Sequence, residues 1–254
     1  MDLEIIYRDE YLVAINKPAG LLVHRSPIDR HETRFALQLL RDQIGQRVYP
    51  VHRLDKPTSG VLLFALSPDI ARKVSQSFEA RQVHKEYLAV VRGFSPEHGD
   101  IDYALKEKLD KIADRNVRLD KPAQEAQTRY RTLAKVELPV LVDRYPQTRY
   151  SLVQLLPVTG RRHQLRRHMK HIGHPIIGDA KHGKGVHNRF FASEFGCDRL
   201  LLASISLAFT HPVNGDVVNL WAQPGERFQR VITEFGWSDA TPLVPGPRTQ
   251  RYPL

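Results

Sequence analysis

Runs that read as β-strands outnumber those that read as helices in this chain, and the two kinds do not alternate. A doubly wound parallel sheet needs strand and helix in regular succession, so an α+β fold is expected instead. Residues 4–7 and 11–16 read as short strands around an acidic turn, and "NKPAG" at 16–20 as the turn that follows. "GVLLFAL" at 60–66 has the unbroken apolar character of a buried strand. Residues 85–92 form another strand, whose alternation places Tyr87, Ala89 and Val91 on one face. Residues 148–156 follow as a strand, and 200–209 and 217–221 flank Asn214-Gly215, a hairpin signal.

The helical segments are fewer. Leu37, Leu40 and Ile44 share a face within 33–44, with Gly45 available to end the helix. Ser67 as N-cap and Pro68 at the first position predict a helix over 67–82, with Ile70, Val74 and Phe78 facing inward. In "RRHQLRRHMKHIGHP" the apolar residues Leu165, Met169 and Ile172 form a stripe, closed by Gly173 and Pro175. Phe228, Val231, Ile232 and Phe235 mark a last helix. Residues 99–149 show the least pattern, with dense alternating charge broken by Pro122, Pro139 and Pro146. They read as an insertion, either a solvated one or an arm that touches a large substrate. With no repeat and no linker, one domain is expected over 1–238, followed by a loosely ordered Pro-rich tail over 239–254.

The 254 residues carry 38 Lys+Arg against 28 Asp+Glu, a formal charge of +10. That excess points to a polyanionic partner, nucleic acid before membrane. No apolar run approaches the length of a membrane span, and the start of the chain does not read as a signal peptide. The one cysteine, Cys197, can form no intrachain disulfide, which fits a reducing, cytoplasmic setting.

Helical spacing separates the arginines of the basic segment. Arg162 and Arg166 border the apolar stripe, where a guanidinium can pair with a half-buried carboxylate, whereas Arg167 lies on the solvent side. His163, His168, His171 and His174 have spacings that zinc sites use. No acid or cysteine stands among them and cations surround them, so no metal is expected.

The most basic short stretch, "HRLDKPTSG" at 52–60, holds a lone carboxylate, Asp55. A carboxylate paired with arginine is a poor proton acceptor and suits a nucleophile or charge stabiliser. The same residue also fits a structural role, capping its turn through Thr58 or Ser59. Asp179 in "GDAKHG" is a conceivable second acid for glycoside chemistry. Phosphate-loop and nucleophile-elbow motifs are absent.

"HRLDKPTSG" resembles the catalytic motif of the RluA-type pseudouridine synthases. "YLVAINKPAGLLVH" (11–24), "KEYLAVVRG" (85–93), "PVTGRRHQLRRHMKHIGHPIIGD" (157–179) and "LAFTHPVNG" (207–215) resemble that family's other motifs, in order. "VHRSPIDRHE", "KEKLDKIADRN" and "GDAKHGKGVHNRFF" are similar to the branch that modifies uridine-65 of tRNA. The resemblance implies isomerisation of a uridine in RNA, most of all tRNA, without cofactor or metal, and a monomer is the default expectation because such a reaction needs no shared site. It implies a single catalytic domain with a central mixed, mainly antiparallel sheet, flanking helices and a basic RNA-binding cleft. Asp55 would be the nucleophile, Tyr87 would pack on the target base, and Arg166 would pair with Asp55. Arg53 would contact RNA and fill the space of a flipped base. Further RNA contacts are expected from Lys17 and His24, from Arg161, Arg162, His163 and Arg167, and from Lys181. Two departures stand out. Ala203 occupies the place of a common histidine, which puts substrate contacts there in question, and Lys56 stands where arginine is usual.

Overall fold

The computed structural model of the chain describes residues 2–25, 32–106 and 122–242. The chain runs β1 (Glu4–Arg8), β2 (Leu12–Lys17), α1 (Ala36–Ile44), β3 (Tyr49–Pro50), β4 (Ser59–Ala65), α2 (Pro68–Glu79), β5 (His84–Arg92) and β6 (His98–Asp102). It continues through β7 (Gln127–Leu138), β8 (Thr148–Pro157), α3 (Gln164–His171), α4 (Gly185–Phe195), β9 (Leu202–Thr210), β10 (Val217–Trp221) and α5 (Glu226–Glu234). All the strands join one sheet in the order β1-β2-β4-β9-β5-β8-β7-β6, with β3 beside β4 and β10 beside β9. Among the described strands only the β4–β9 pair is parallel, so the sheet is mixed and mainly antiparallel, as expected. No described helix is long and apolar enough to cross a membrane.

The central strands are covered on both faces, which explains their unbroken apolar runs. Along β4, Val61, Leu63 and Ala65 pack with Ile70 and Val74 of α2, whereas Leu62 and Phe64 pack with Ala36 and Leu40 of α1. Along β5, Leu88 and Val90 face Phe191 of α4 and Phe228 of α5. Ala89 and Val91 face Leu165 and Met169 of α3. The α2 start follows its signals: the Ser67 side chain accepts from the Ile70 N–H, and Pro68 takes the first position.

Strand β9 joins the two halves. It holds β5 along one side, and on the other it holds β4 first and β10 after. The β4–β9 approach depends on Gly60, which sits at φ +109°, where a Cβ would overlap the Ser204 carbonyl. This closeness places the 52–59 loop at the middle of the sheet.

The structure departs from expectation in several places. Residues 99–149 are not a simple insertion, because β6, β7 and the start of β8 extend the sheet there. Strand β7, between β8 and the edge strand β6, alternates buried Thr128 and Tyr130 with exposed Arg129 and Arg131, a pattern that dense charge obscures. Part of that stretch, 107–121, lies outside the described residues, as does the tail from 243. Helix α4 gives no warning in the sequence, having neither a capping side chain nor a single apolar stripe. The β9–β10 hairpin closes through residues 211–216 rather than through Asn214-Gly215 alone. Helix α3 starts at Gln164, so Arg162 and His163 belong to the turn before it.

Candidate active site

The loop before β4 is pinned at alternate residues. The His52 ring stacks on Phe78 at 4.9 Å, and its Nε2 accepts the Leu63 N–H at 3.0 Å. Burial pulls His52 down to about 3, so it is a neutral anchor. Leu54 is buried in the core beside α1. The Lys56 carbonyl accepts from the Gly20 N–H at 2.9 Å and from Lys17 Nζ at 3.2 Å. Between these anchors, Arg53 and Asp55 reach a cavity of about 430 Å³. The turn after Asp55 is closed by the Thr58 N–H on its carbonyl at 3.0 Å.

Helix α3 brings Arg166 to the same cavity. Its Nη1 lies 3.0 Å from Asp55 Oδ2. Its Nε and Nη2 donate to Asp179 at 2.7 and 2.8 Å in a bidentate pair. Asp179 is fully buried and also accepts the N–H groups of Lys181 and His182, while Asp55 remains 28% exposed. Burial opposes charge on both members of the inner pair, but each is held charged by the other: Arg166 is pushed up and Asp179 down. One carboxylate thus anchors the guanidinium, and the other is left facing the cavity.

The α3 entry is held by Gln164, whose Oε1 accepts from Thr159 Oγ1 at 2.7 Å and the Arg161 N–H at 2.9 Å. Its Nε2 donates to the Gln127 carbonyl at 2.9 Å, tying the turn to β7. This fixes His163 in a left-handed conformation, φ 55°, with Nε2 3.9 Å from Asp55 Oδ2 and Nδ1 3.1 Å from His182 Nε2. Burial pulls His163 down to about 4.

Tyr87 pairs with Leu155 of β8 and Ser204 of β9 and lines the cavity. Burial pushes its phenol up to about 12; the Ser204 hydroxyl works against this and the Asp55 charge adds to it. Arg81, Lys85 and Arg161 complete a basic wall. Glu125 braces it, pairing with Arg81 at 3.1 Å and accepting Arg161 Nε through its carbonyl at 3.0 Å.

Of the residues expected from the sequence, the cavity gathers Arg53, Asp55, Tyr87, Arg161, His163 and Arg166. The exposed His24 and Lys181 and the half-buried Arg162 and Arg167 do not line it. Lys17 needs correction as an RNA contact. It is fully buried, and its ammonium donates to the carbonyls of Pro18, Leu21 and Lys56, so it fastens the turn before Gly20 to the Asp55 loop. Burial pulls it down to about 7. Ala203 is buried in the core against α4 and α5, on the face of β9 away from the cavity-lining Leu202. The clustered histidines separate: His168 bonds Thr128 and the Tyr103 carbonyl, His171 stacks on Tyr103, and His174 bonds the Arg92 carbonyl. The sequence reading missed the anchoring role of Asp179. Its one local clue is Gly178, at φ +77° and pressed against the Arg199 backbone, which sets the turn that buries it.

The RNA pseudouridylate synthase family matches residues 11–171. A protein of Yersinia pestis named tRNA pseudouridine synthase C is 56% identical over 94% of this chain and 93% of its own length. One of the same name from Vibrio cholerae is 55% identical over 94% and 98%. In Pectobacterium carotovorum a relative of that name is 57% identical over 96% of this chain, which spans 65% of that protein's length. Among solved structures, human RNA Pseudouridylate Synthase Domain Containing 4 superposes with a TM-score of 0.68 at 27% identity, over 92% of this chain and 93% of that one. Human RNA Pseudouridylate Synthase Domain Containing 1 gives 0.66 at 26%, over 88% and 84%. Sequence and fold agree over the segments that build the cavity, and the chain belongs to the RNA pseudouridylate synthase family.

Proposed function

We propose that this chain converts a uridine of tRNA, at position 65, to pseudouridine, with Asp55 as nucleophile. The observation that supports this most is the 3.0 Å contact between Asp55 and an arginine already anchored by a second carboxylate. The isomerisation breaks the bond from C1′ to N1 and forms one from C1′ to C5. C5 loses a proton and N1 gains one, so the exchange is redox-neutral. Attack at either the ribose or the ring uses a carboxylate oxygen, and Arg166 holds the Asp55 side chain in place at 3.0 Å. It also offsets repulsion between Asp55 and incoming phosphates. Tyr87, held as a phenol, packs on the base and donates rather than accepts a proton. Arg53, exposed at the rim, fills the stack left by the extruded nucleotide. The choice of tRNA rests on the names of the relatives. Mapping pseudouridine after incubation with unmodified tRNA and with ribosomal RNA tests it. Modification of tRNA at position 65 is expected, and modification of ribosomal RNA alone would overturn the substrate assignment.

A further inference from the structure

We propose that a second cleft, at the end of β5 remote from Tyr87, binds a phosphate group. The cleft has a volume of about 300 Å³ and is lined by Arg92, the end of the connection between β7 and β8, the first residues of β8, His174 and His187. His187 is 3% exposed and lies in the first turn of α4. Its Nδ1 is 2.8 Å from the Tyr150 hydroxyl, which itself accepts from Thr148 Oγ1 at 3.2 Å. With the Thr148 hydroxyl donating to the Tyr150 oxygen, we assign the Tyr150 hydrogen to Nδ1, and this tautomer carries the imidazole proton on Nε2. Burial first, then Arg92, pulls His187 down to about 4, so the neutral form holds at pH 7. This Nε2 is buried and has no hydrogen-bond partner among the described residues. A buried donor without an acceptor is costly, and natural structures rarely leave one unanswered.

What surrounds His187 decides the chemistry of the missing acceptor. Arg149 is paired with Glu137 at 2.5 Å, and Lys184 with Asp143 at 2.9 Å, so the acid in the cleft wall is already neutralised. Arg92 is half-buried and has no such ion pair among the described residues. Helix α4 has no acidic residue of its own in its first turn and no capping side chain, and the carboxylate nearest its start, Asp143, is paired with Lys184. An N–H donor, an unpaired guanidinium and a helix N-terminus all call for an anion. Phosphate offers each of them an oxygen. Tyr145, 67% exposed on the lip, adds a face on which a nucleobase can stack. Phosphate of an RNA strand and phosphate of a free nucleotide share this chemistry. The site is separate from the Asp55 cavity, so the inference does not depend on the proposed reaction.

The test is a titration of the protein with inorganic phosphate, followed through the imidazole ¹H–¹⁵N signals of His187. A saturable shift is expected, weakened about tenfold or more in Arg92→Ala and less in Arg92→Gln. Unchanged signals from His52 and His168, outside the cleft, show that the variants remain folded. The same shift with tRNA, lost in Arg92→Ala, assigns the group to an RNA strand. A shift with phosphate but not tRNA assigns it to a free ligand; either result sustains the site. No shift with phosphate or tRNA, or an undiminished shift in Arg92→Ala, overturns it.

Discussion

The Arg166 guanidinium serves two carboxylates of different exposure, and that difference divides their work. Asp179, fully buried, takes two of its nitrogens, leaving Nη1 for the partly exposed Asp55. A guanidinium without its anchor can still meet Asp55, but in no single orientation. Asp179→Asn is therefore expected to lower turnover on the order of a hundredfold while leaving tRNA affinity nearly unchanged. It should also destabilise the fold by about 3 kcal/mol, because a buried charge loses its partner. Single-turnover kinetics and filter binding, run well below the melting temperature, separate the two effects. Turnover near that of the wild type would show that Arg166 needs no second acid.

Among the elements, β4 and β9 carry the site. Their parallel pairing sets the Asp55 loop opposite α3, and Gly60 permits it. Gly60→Ala adds a Cβ against the Ser204 carbonyl at a φ that favours glycine, so a loss of about 3 kcal/mol or more is expected. Thermal melting checks this, and an unchanged midpoint would contradict the close approach. At this scale the sequence was informative where one force ruled. The α2 cap, the double-faced β4 and the Tyr87 face of β5 follow from local rules, and so does the placing of Arg166 beside the core. It was uninformative where tertiary context decides. Strand β7 lies next to the edge strand and carries exposed charges, and α4 is amphipathic on no single stripe. Lys17 has the appearance of an RNA contact in sequence, and only packing reveals its three carbonyl partners. Asp179 was visible as an acid, but its pairing with Arg166 spans the α3 C-terminus and a turn that no local spacing encodes.

Taken whole, the molecule combines a +10 charge with several histidines held neutral inside. Burial lowers His52 to about 3 and His163 and His187 to about 4. As pH falls below about 6.5, the unfolded chain takes up these protons and the folded one does not. Stability present above that value is therefore lost down to about pH 4, at up to about 1.4 kcal/mol per pH unit for each histidine. Urea midpoints at pH 7 and pH 5 test this; equal midpoints would mean that the imidazoles titrate freely. The most direct test of the account as a whole is tritium release from tRNA labelled at uracil C5, with wild type and with Asp55→Asn. Release by the wild type and none by the variant, at similar tRNA affinity, is predicted. Comparable release by Asp55→Asn would contradict the role given to Asp55.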